Sequence, residues 1–239
     1  FCDLLHFYQD KTVDGLQNMK GIVYREQTGQ IVENEWRKTM DLSKVPFVYE
    51  NMGLFEHKII YYETSRGCPF SCSYCLSSID KKLRFRPLDT VKKELAFFLE
   101  QRVPQVKFVD RTFNCKKSHA MAIWQFICDH DNGVTNFHFE IAADILDEEE
   151  IALLKTMRPG LVQLEIGVQT ANHDTIHSIN RKMDLARVAQ VTEKIRQFHN
   201  IHQHLDLIAG LPLEDYESFG HSFDVVYQMK PSQLQLGFL

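Results

Sequence analysis

Three cysteines stand within eight residues of the chain, at Cys68, Cys72 and Cys75. Their spacing is CxxxCxxC, whereas the other three of the six cysteines are scattered. A disulfide inside the cluster would close a very small, strained loop and would leave one thiol over. Because thiolates are soft ligands that suit iron and zinc, the spacing predicts metal or redox chemistry in a reducing compartment. We therefore expect a cytoplasmic protein.

Three thiolates on one loop can hold three corners of a cubane iron–sulfur cluster, which takes four ligands. The loop itself offers no fourth ligand, so one iron would be open to a small molecule. Two alternatives remain: a closed structural zinc site that borrows a distant His or Cys, and a fully ligated electron-transfer cluster. In either alternative Cys115, just past the second predicted strand, is the first candidate for the fourth ligand.

The residues after position 58 alternate between short β-rich runs and helical patterns. Strands are predicted at 59–65, 106–110, 136–142, 161–168, 202–209 and 232–238, and helices at 88–101, 118–130, 147–157, 184–199 and 215–229. Repeated strand–helix units require parallel strands joined by right-handed crossovers. No two glycines form a GxG pair, so a dinucleotide-binding sheet is disfavoured. The sequence predicts an α/β fold with a partial (β/α)6 TIM-like barrel.

Two segments follow from this reading. Residues 1–57 contain turn signals and no long periodic helix, which predicts a linker or a small N-terminal hairpin segment. Residues 58–239 are predicted to form the partial barrel, truncated at its sixth strand. The chain opens at Phe1 rather than Met and stops inside an apolar run, so we expect a piece of a longer protein.

Polar and apolar residues alternate along the later strands. In the fourth strand Gln163, Glu165 and Gln169 lie on one face, and leucine, isoleucine and valine lie on the other. A polar lining predicts a wet barrel interior with room for ligands, unless neighbours at the strand ends satisfy these groups. His202 and His204 are interpreted as part of this lining, because zinc sites normally show a fuller ligand set.

Charge and hydropathy exclude several classes of protein. The chain has 27 Lys and Arg against 32 Asp and Glu, a formal charge of −5, and no block of basic residues. A broad nucleic-acid-binding face is therefore not supported, and nucleic acid is an improbable partner. No apolar run approaches the ~18 residues of a membrane span, so we expect no membrane association.

The cysteine loop, with Tyr74 just before its last cysteine, and the partial barrel resemble radical S-adenosylmethionine (radical SAM) enzymes. The segments Gly167–Thr170 and Asp206–Pro212 are similar to signatures of the branch that contains oxygen-independent coproporphyrinogen oxidase and the methylthiotransferases. The resemblance implies a [4Fe–4S] cluster on Cys68, Cys72 and Cys75. Its fourth iron would bind S-adenosylmethionine (SAM), and reductive cleavage would give a 5′-deoxyadenosyl radical that abstracts hydrogen from substrate.

The resemblance also implies roles for five polar residues. Gln169 and Asp206 would take the ribose hydroxyls, Arg181 the methionyl carboxylate and Glu140 the methionyl amino group, while Tyr74 would pack near the adenine. These residue types fit such ligand groups. The alternatives are that Arg181 is a surface cation and that Glu140 and Asp206 are interior groups satisfied by the backbone. The second strand ends in Asp-Arg-Thr-Phe-Asn where many relatives carry Gly-Gly-Glu, which makes Asp110 another candidate for the amino group.

A subclass is indicated by Ser65–Pro69 and by the leader Asp41–Pro46. Both are similar to the cobalamin-binding subclass that includes anaerobic magnesium-protoporphyrin monomethyl ester cyclase. This implies cobalamin in the full-length parent, a small-molecule substrate and an electron donor such as flavodoxin or ferredoxin. We therefore expect a cobalamin-dependent cyclase or methyltransferase, and the alternative is a noncatalytic metal-binding or iron–sulfur electron-transfer module.

Overall fold

The computed structural model describes residues 1–9 and 15–239, which form two compact units, 1–44 and 45–239. The first unit holds one helix, α1 (Cys2–Gln9), and two strands, β1 (Val23–Arg25) and β2 (Ile31–Glu33). The two strands pair antiparallel as a hairpin. The boundary predicted at residue 58 stays a prediction.

The second unit contains a six-stranded parallel sheet. Its strands are β3 (Ile60–Tyr62), β6 (Gln105–Phe108), β7 (Asn136–Ile141), β8 (Val162–Gln169), β9 (His202–Ala209) and β10 (Gln233–Phe238). They neighbour one another in chain order, and every pair is parallel. A separate antiparallel ribbon joins β4 (Ser65–Arg66) to β5 (Arg84–Phe85). The predicted α/β fold and partial TIM-like barrel are confirmed.

Helices connect the strands of the sheet. They are α2 (Leu88–Glu100), α3 (Lys117–Asp129), α4 (Glu148–Thr156), α5 (His173–Ser178), α6 (Leu185–Arg196) and α7 (Tyr216–Gln228). Five of them match the predicted helices, and α5 is additional. Helix α4 begins with a complete capping box, in which Asp147 accepts from the Glu149 and Glu150 amides and the Glu150 carboxylate accepts from the Asp147 amide.

The two faces of the sheet differ as the alternation predicts. Along β8 the even-numbered side chains are buried and the odd-numbered ones are only half-buried. The buried set packs with the helices in one core, which includes Phe108, Phe139 and Trp124. The other set faces the inside of the sheet's curve, where cavity-lining residues come from β7, β8 and β9. The described part of the chain holds no helix long and apolar enough to cross a membrane.

Candidate functional site

The cysteine loop leaves the sheet through the short strand β4. Gly67, next to β4, has φ of 97°, and a Cβ there would lie 2.7 Å from the carbonyl oxygen of Lys82. The following amide, that of Cys68, donates to the carbonyl of Asp80 at 3.1 Å. Only glycine fits this backbone without strain, and so the loop is closed tightly at its neck.

A buried carboxylate holds the strand end that leads into the loop. Asp110 is fully buried and accepts hydrogen bonds from the Thr64 amide at 3.0 Å, the Thr64 hydroxyl at 2.7 Å and the Ser65 hydroxyl at 2.6 Å. Burial raises the pKa of Asp110, and these hydrogen bonds oppose the rise. Asp110 does not line the cavity described below. Its contacts make it a clamp on the loop rather than a partner for a ligand.

His119 supports the same clamp from helix α3. Its Nε2 lies 3.1 Å from the Thr64 hydroxyl, and its ring lies 4.9 Å from the ring of Phe85 between centroids. The Thr64 hydroxyl gives its proton to Asp110, so Nε2 of His119 must donate. Burial lowers the pKa of His119 to about 4, which keeps the imidazole neutral at neutral pH.

This buried imidazole predicts an acid-sensitive stability. Between pH 6.5 and about 4 the unfolded chain holds a proton on His119 that the folded chain does not, so the free energy of unfolding falls as the pH falls. The slope from this one group is at most about 1.4 kcal/mol per pH unit. We expect His119→Gln, which keeps a donor and does not titrate, to flatten urea-unfolding free energies across this window. Equal slopes in both proteins would contradict the assignment.

One cavity of about 220 Å³ opens at the carboxyl ends of the strands. All eight residues predicted for cluster and SAM binding line it: Cys68, Cys72, Tyr74, Cys75, Glu140, Gln169, Arg181 and Asp206. They come from the cysteine loop, from β7, β8 and β9, and from the segment after α5. A larger cavity, of about 680 Å³, lies at the amino ends of β3 and β6 and contains none of them. We take the smaller cavity as the candidate site, because it holds the cysteines and the polar lining.

The three cysteines of the loop turn toward this cavity. Cys68 and Cys72 are buried, Cys75 is half-buried, and all three are free thiols. The described lining residues include no fourth cysteine and no histidine. Cys115 is not among them, and burial raises the pKa of its thiol to about 11. This donor set fits a cluster that takes three protein thiolates.

Arg181 ties the cysteine loop to the sheet. Its Nη2 donates to the carbonyl of Gly167 on β8, and its Nη1 lies 3.4 Å from the Tyr74 hydroxyl and 3.8 Å from the Cys72 sulfur. Its Nε is buried without a hydrogen-bond partner. Burial raises the pKa of Tyr74 to about 12. Arg181 is therefore half-buried at the cavity and is not a surface cation.

Helix α5, which was not predicted from the sequence, and the residues just after it support the cysteine loop. Asn172 caps the helix by accepting from the Asp174 and Thr175 amides. The carbonyl of Ile179, at the far end, accepts from the Ser73 amide at 2.9 Å. The side chain of Asn180 donates to the Ser71 carbonyl at 3.0 Å. The segment after β8 thus holds the cysteine loop by its backbone.

Several polar atoms around the cavity are buried without a hydrogen-bond partner. They include Gln169 Oε1 and Asp206 Oδ1, as well as the Nε of Arg181. Burial and the carboxylate of Glu165 raise the pKa of both Glu140 and Asp206. An unpaired buried polar group costs about 1–3 kcal/mol, so these atoms favour a polar, partly cationic ligand.

Some residues that line the cavity were not predicted from the sequence as cluster or SAM ligands. Glu165 lines the cavity, and its Oε2 accepts from Lys107 Nζ at 2.9 Å. Arg111 and Thr112, just after the second strand of the barrel, also line it. Alternation placed Glu165 on the inner face, but nothing in the sequence shows how near Lys107 comes.

A family model described as the radical SAM superfamily matches residues 62–226, more than half of the chain. The chain belongs to this superfamily. Radical SAM proteins are enzymes that use a [4Fe–4S] cluster and SAM, so the predicted family, enzyme class and cofactors are confirmed. Which residues of this chain hold those cofactors is untested by the family match and stays a prediction.

Curated relatives of this radical SAM chain include two methyltransferases. The 2-(S-pantetheinyl)-carbapenam-3-carboxylate methyltransferase of Streptantibioticus cattleyicolor is 25% identical over 66% of this chain and 24% of its own length. The cobalamin-dependent radical SAM methyltransferase TokK of Streptomyces tokunonensis is 27% identical over 66% and 24%. Oxygen-independent coproporphyrinogen III oxidase of Salmonella typhimurium is 32% identical over 42% and 23%. The chain spans about a quarter of the length of these relatives.

Solved structures share the fold at low sequence identity. The methyltransferase TsrM from Kitasatospora setae, with cobalamin and a [4Fe–4S] cluster bound, has a TM-score of 0.76 and 15% identity, covering 99% of this chain and 49% of its own. The cobalamin-dependent radical enzyme OxsB has a TM-score of 0.72 and 17% identity, covering 94% and 34%. Cobalamin-dependent proteins are thus among the structural neighbours of this radical SAM chain.

Proposed function

We propose that residues 58–239 are the catalytic barrel of a radical SAM enzyme whose cluster is held by Cys68, Cys72 and Cys75. The observation that carries the proposal is the cavity itself, since three thiols and five polar residues from separate elements converge there. When bound, the cluster and SAM would supply a 5′-deoxyadenosyl radical that abstracts hydrogen from substrate. Residues 1–57 are proposed as a small N-terminal segment.

The residues of the chain would bind and orient SAM. The Arg181 guanidinium would pair with the methionyl carboxylate, and the carboxylate of Glu140 would accept from the methionyl ammonium. Gln169 Oε1 and Asp206 Oδ1, both unpaired and buried, would accept from the ribose hydroxyls. Tyr74, half-buried in the cysteine loop, would pack against the adenine. The cavity walls would exclude water from the reacting atoms.

Methyl transfer is the reaction that we favour over cyclisation. The support is the recurrence of methyltransferases among the relatives, including TokK. The cobalamin-bound TsrM structure supports a cobalamin-using parent protein. We propose a small-molecule substrate, a flavodoxin or ferredoxin as electron donor, and a cytoplasmic location.

Product analysis after anaerobic reconstitution tests this function. Iron and sulfide, followed by dithionite and SAM, should yield 5′-deoxyadenosine, and SAM should alter the electron paramagnetic resonance spectrum of the reduced cluster. Cys72→Ala should give neither signal. Intact chain with a full cluster that neither binds nor cleaves SAM would contradict the proposal.

Cys115 distinguishes this enzyme from a fully ligated electron-transfer or zinc module. Because Cys115 does not line the cavity, we expect Cys115→Ala to keep the cluster iron, the SAM-dependent spectral change and the product. Cys72→Ala, at a thiol that does line the cavity, is the variant for comparison. Loss of one iron, or of the cluster, in Cys115→Ala would identify it as a fourth ligand and favour the module.

A further inference from the structure

A second group of metal-ligating side chains lies next to the predicted SAM-binding residues, on the same three strands of the sheet. It consists of His138, Glu165 and His204, which come from the neighbouring parallel strands β7, β8 and β9. One ligand atom from each lies within 4.8 Å of the others. Glu165 and His204 are direct partners in the strand register. Three adjacent strands therefore present these groups on a rigid platform.

The two imidazoles face this spot without hydrogen bonds. His138 and His204 are 6% and 5% exposed, and the Nε2 atom of each is buried with no hydrogen-bond partner. His138 Nε2 lies 2.9 Å from Glu165 Oε2, and His204 Nε2 lies 3.0 Å from Asp206 Oδ1. Both imidazoles thus lie at ion-pair distance from a carboxylate oxygen, and a proton or a metal ion between the two groups would satisfy each contact.

The residue types of the cluster also suit a metal ion. Glu140, Glu165 and Asp206 bring three carboxylates into the interior, and Lys107 contacts one of them, donating to Glu165 at 2.9 Å. A carboxylate and two imidazoles are ligands that a divalent transition metal accepts, and metal binding displaces any proton that they hold.

We propose that His138, Glu165 and His204 form a second metal site, for a divalent ion such as Zn²⁺ or Fe²⁺, separate from the cysteine loop. Two imidazoles and one carboxylate are a ligand set that leaves further coordination positions for water or for an oxygen or nitrogen of the substrate. The site would anchor and polarise a substrate at the part of the cavity that Glu165 lines. This changes the earlier interpretation of His204 as plain lining, whereas His202 is exposed and stays outside the site.

Cobalt binding tests the site without interference from the cluster. The probe is Co²⁺ added anaerobically to the chain with Cys68, Cys72 and Cys75 changed to Ser, and folding is checked by circular dichroism. We expect one equivalent to bind with visible d–d absorption, and Zn²⁺ to displace it. Glu165→Gln and His204→Gln should each weaken binding by about 100-fold. His202→Gln, on the same strand, is the matched control and should leave binding unchanged.

Replacing Lys107 is expected to change the affinity for Co²⁺ in the opposite direction. Its ammonium competes with a metal ion for the same oxygen of Glu165, so Lys107→Met should tighten Co²⁺ binding by about tenfold. Adventitious binding at surface residues would not respond to this change. Absence of a one-to-one complex, or equal affinity in Glu165→Gln, His204→Gln and the control, would overturn the proposal.

Metal analysis of the unaltered chain covers the case in which the serine variant does not fold. After reconstitution and incubation with Zn²⁺, the chain should retain one zinc in addition to the cluster iron, and Glu165→Gln should not. Retention of that zinc by Glu165→Gln would overturn the proposal. A chain that binds zinc in this way and fails to cleave SAM would leave the second site standing and contradict only the radical function.

Discussion

Replacing Asp110 with alanine is expected to lower the free energy of unfolding by about 3–5 kcal/mol, the largest effect on stability that the structure predicts. The change removes a fully buried carboxylate and leaves the Thr64 amide and two hydroxyls without their acceptor. Each orphaned group costs about 1–3 kcal/mol. Because Thr64 and Ser65 lead directly into the cysteine loop, the variant should also incorporate less iron.

Urea unfolding of the apo chain and iron analysis after reconstitution measure the two effects. Asp110→Asn keeps the shape and two acceptor positions, but turns an amide toward the Thr64 N–H, so its loss should be intermediate. Glu100→Ala, at the exposed end of α2, is the surface control and should change stability little. If Asp110→Ala had the same free energy of unfolding as this control, the hydrogen bonds to Asp110 would contribute little to stability.

Arg181→Met should weaken SAM binding by about 100-fold, since it removes the guanidinium that faces the predicted place of the methionyl carboxylate. Methionine fills a similar volume without charge. Arg181→Lys keeps the charge but cannot reach the Gly167 carbonyl and a carboxylate together, so we expect a smaller loss. Equilibrium dialysis with labelled SAM on the reconstituted chain measures both.

Lys182→Met is the matched control for charge, because this exposed neighbour makes the same change in net charge. It should bind SAM like the unaltered chain. Unchanged binding in Arg181→Met would disprove the role of Arg181 toward the carboxylate. If Arg181→Met lost both the cluster and SAM binding, Arg181 would act mainly by holding the loop near Cys72.

Most of the barrel could be predicted from the sequence because its strands alternate strictly and its helices carry one apolar face. The first strand is the exception. The prediction ran over 59–65, but β3 ends at Tyr62, because the Thr64 amide donates to the Asp110 side chain and Ser65 pairs with Phe85 in the separate ribbon. Helix α5 escaped prediction because its six residues have no apolar period and it depends on the Asn172 cap and on the loop it supports.

The candidate site was predictable in its residue types and not in its geometry. Motif resemblance singled out the eight residues that line the cavity, yet distances between different strands are set only by the folded sheet. Asp110 illustrates the limit, since its position in the sequence indicated a ligand contact and its burial shows a structural one. His138 carried no recognisable motif; it pairs with Gln163 in the register, and its side chain reaches Glu165 diagonally across the sheet.

Arg181 touches the Cys72 sulfur and the Tyr74 hydroxyl with the same nitrogen and reaches β8 with the other. In the role proposed for it, this single side chain couples the binding of the cluster to the binding of SAM. Whatever free energy the intact [4Fe–4S] cluster contributes to the binding of SAM, bound SAM must contribute the same amount to the retention of the cluster. A chain saturated with SAM should therefore lose cluster iron to air or to chelators more slowly than a chain without SAM.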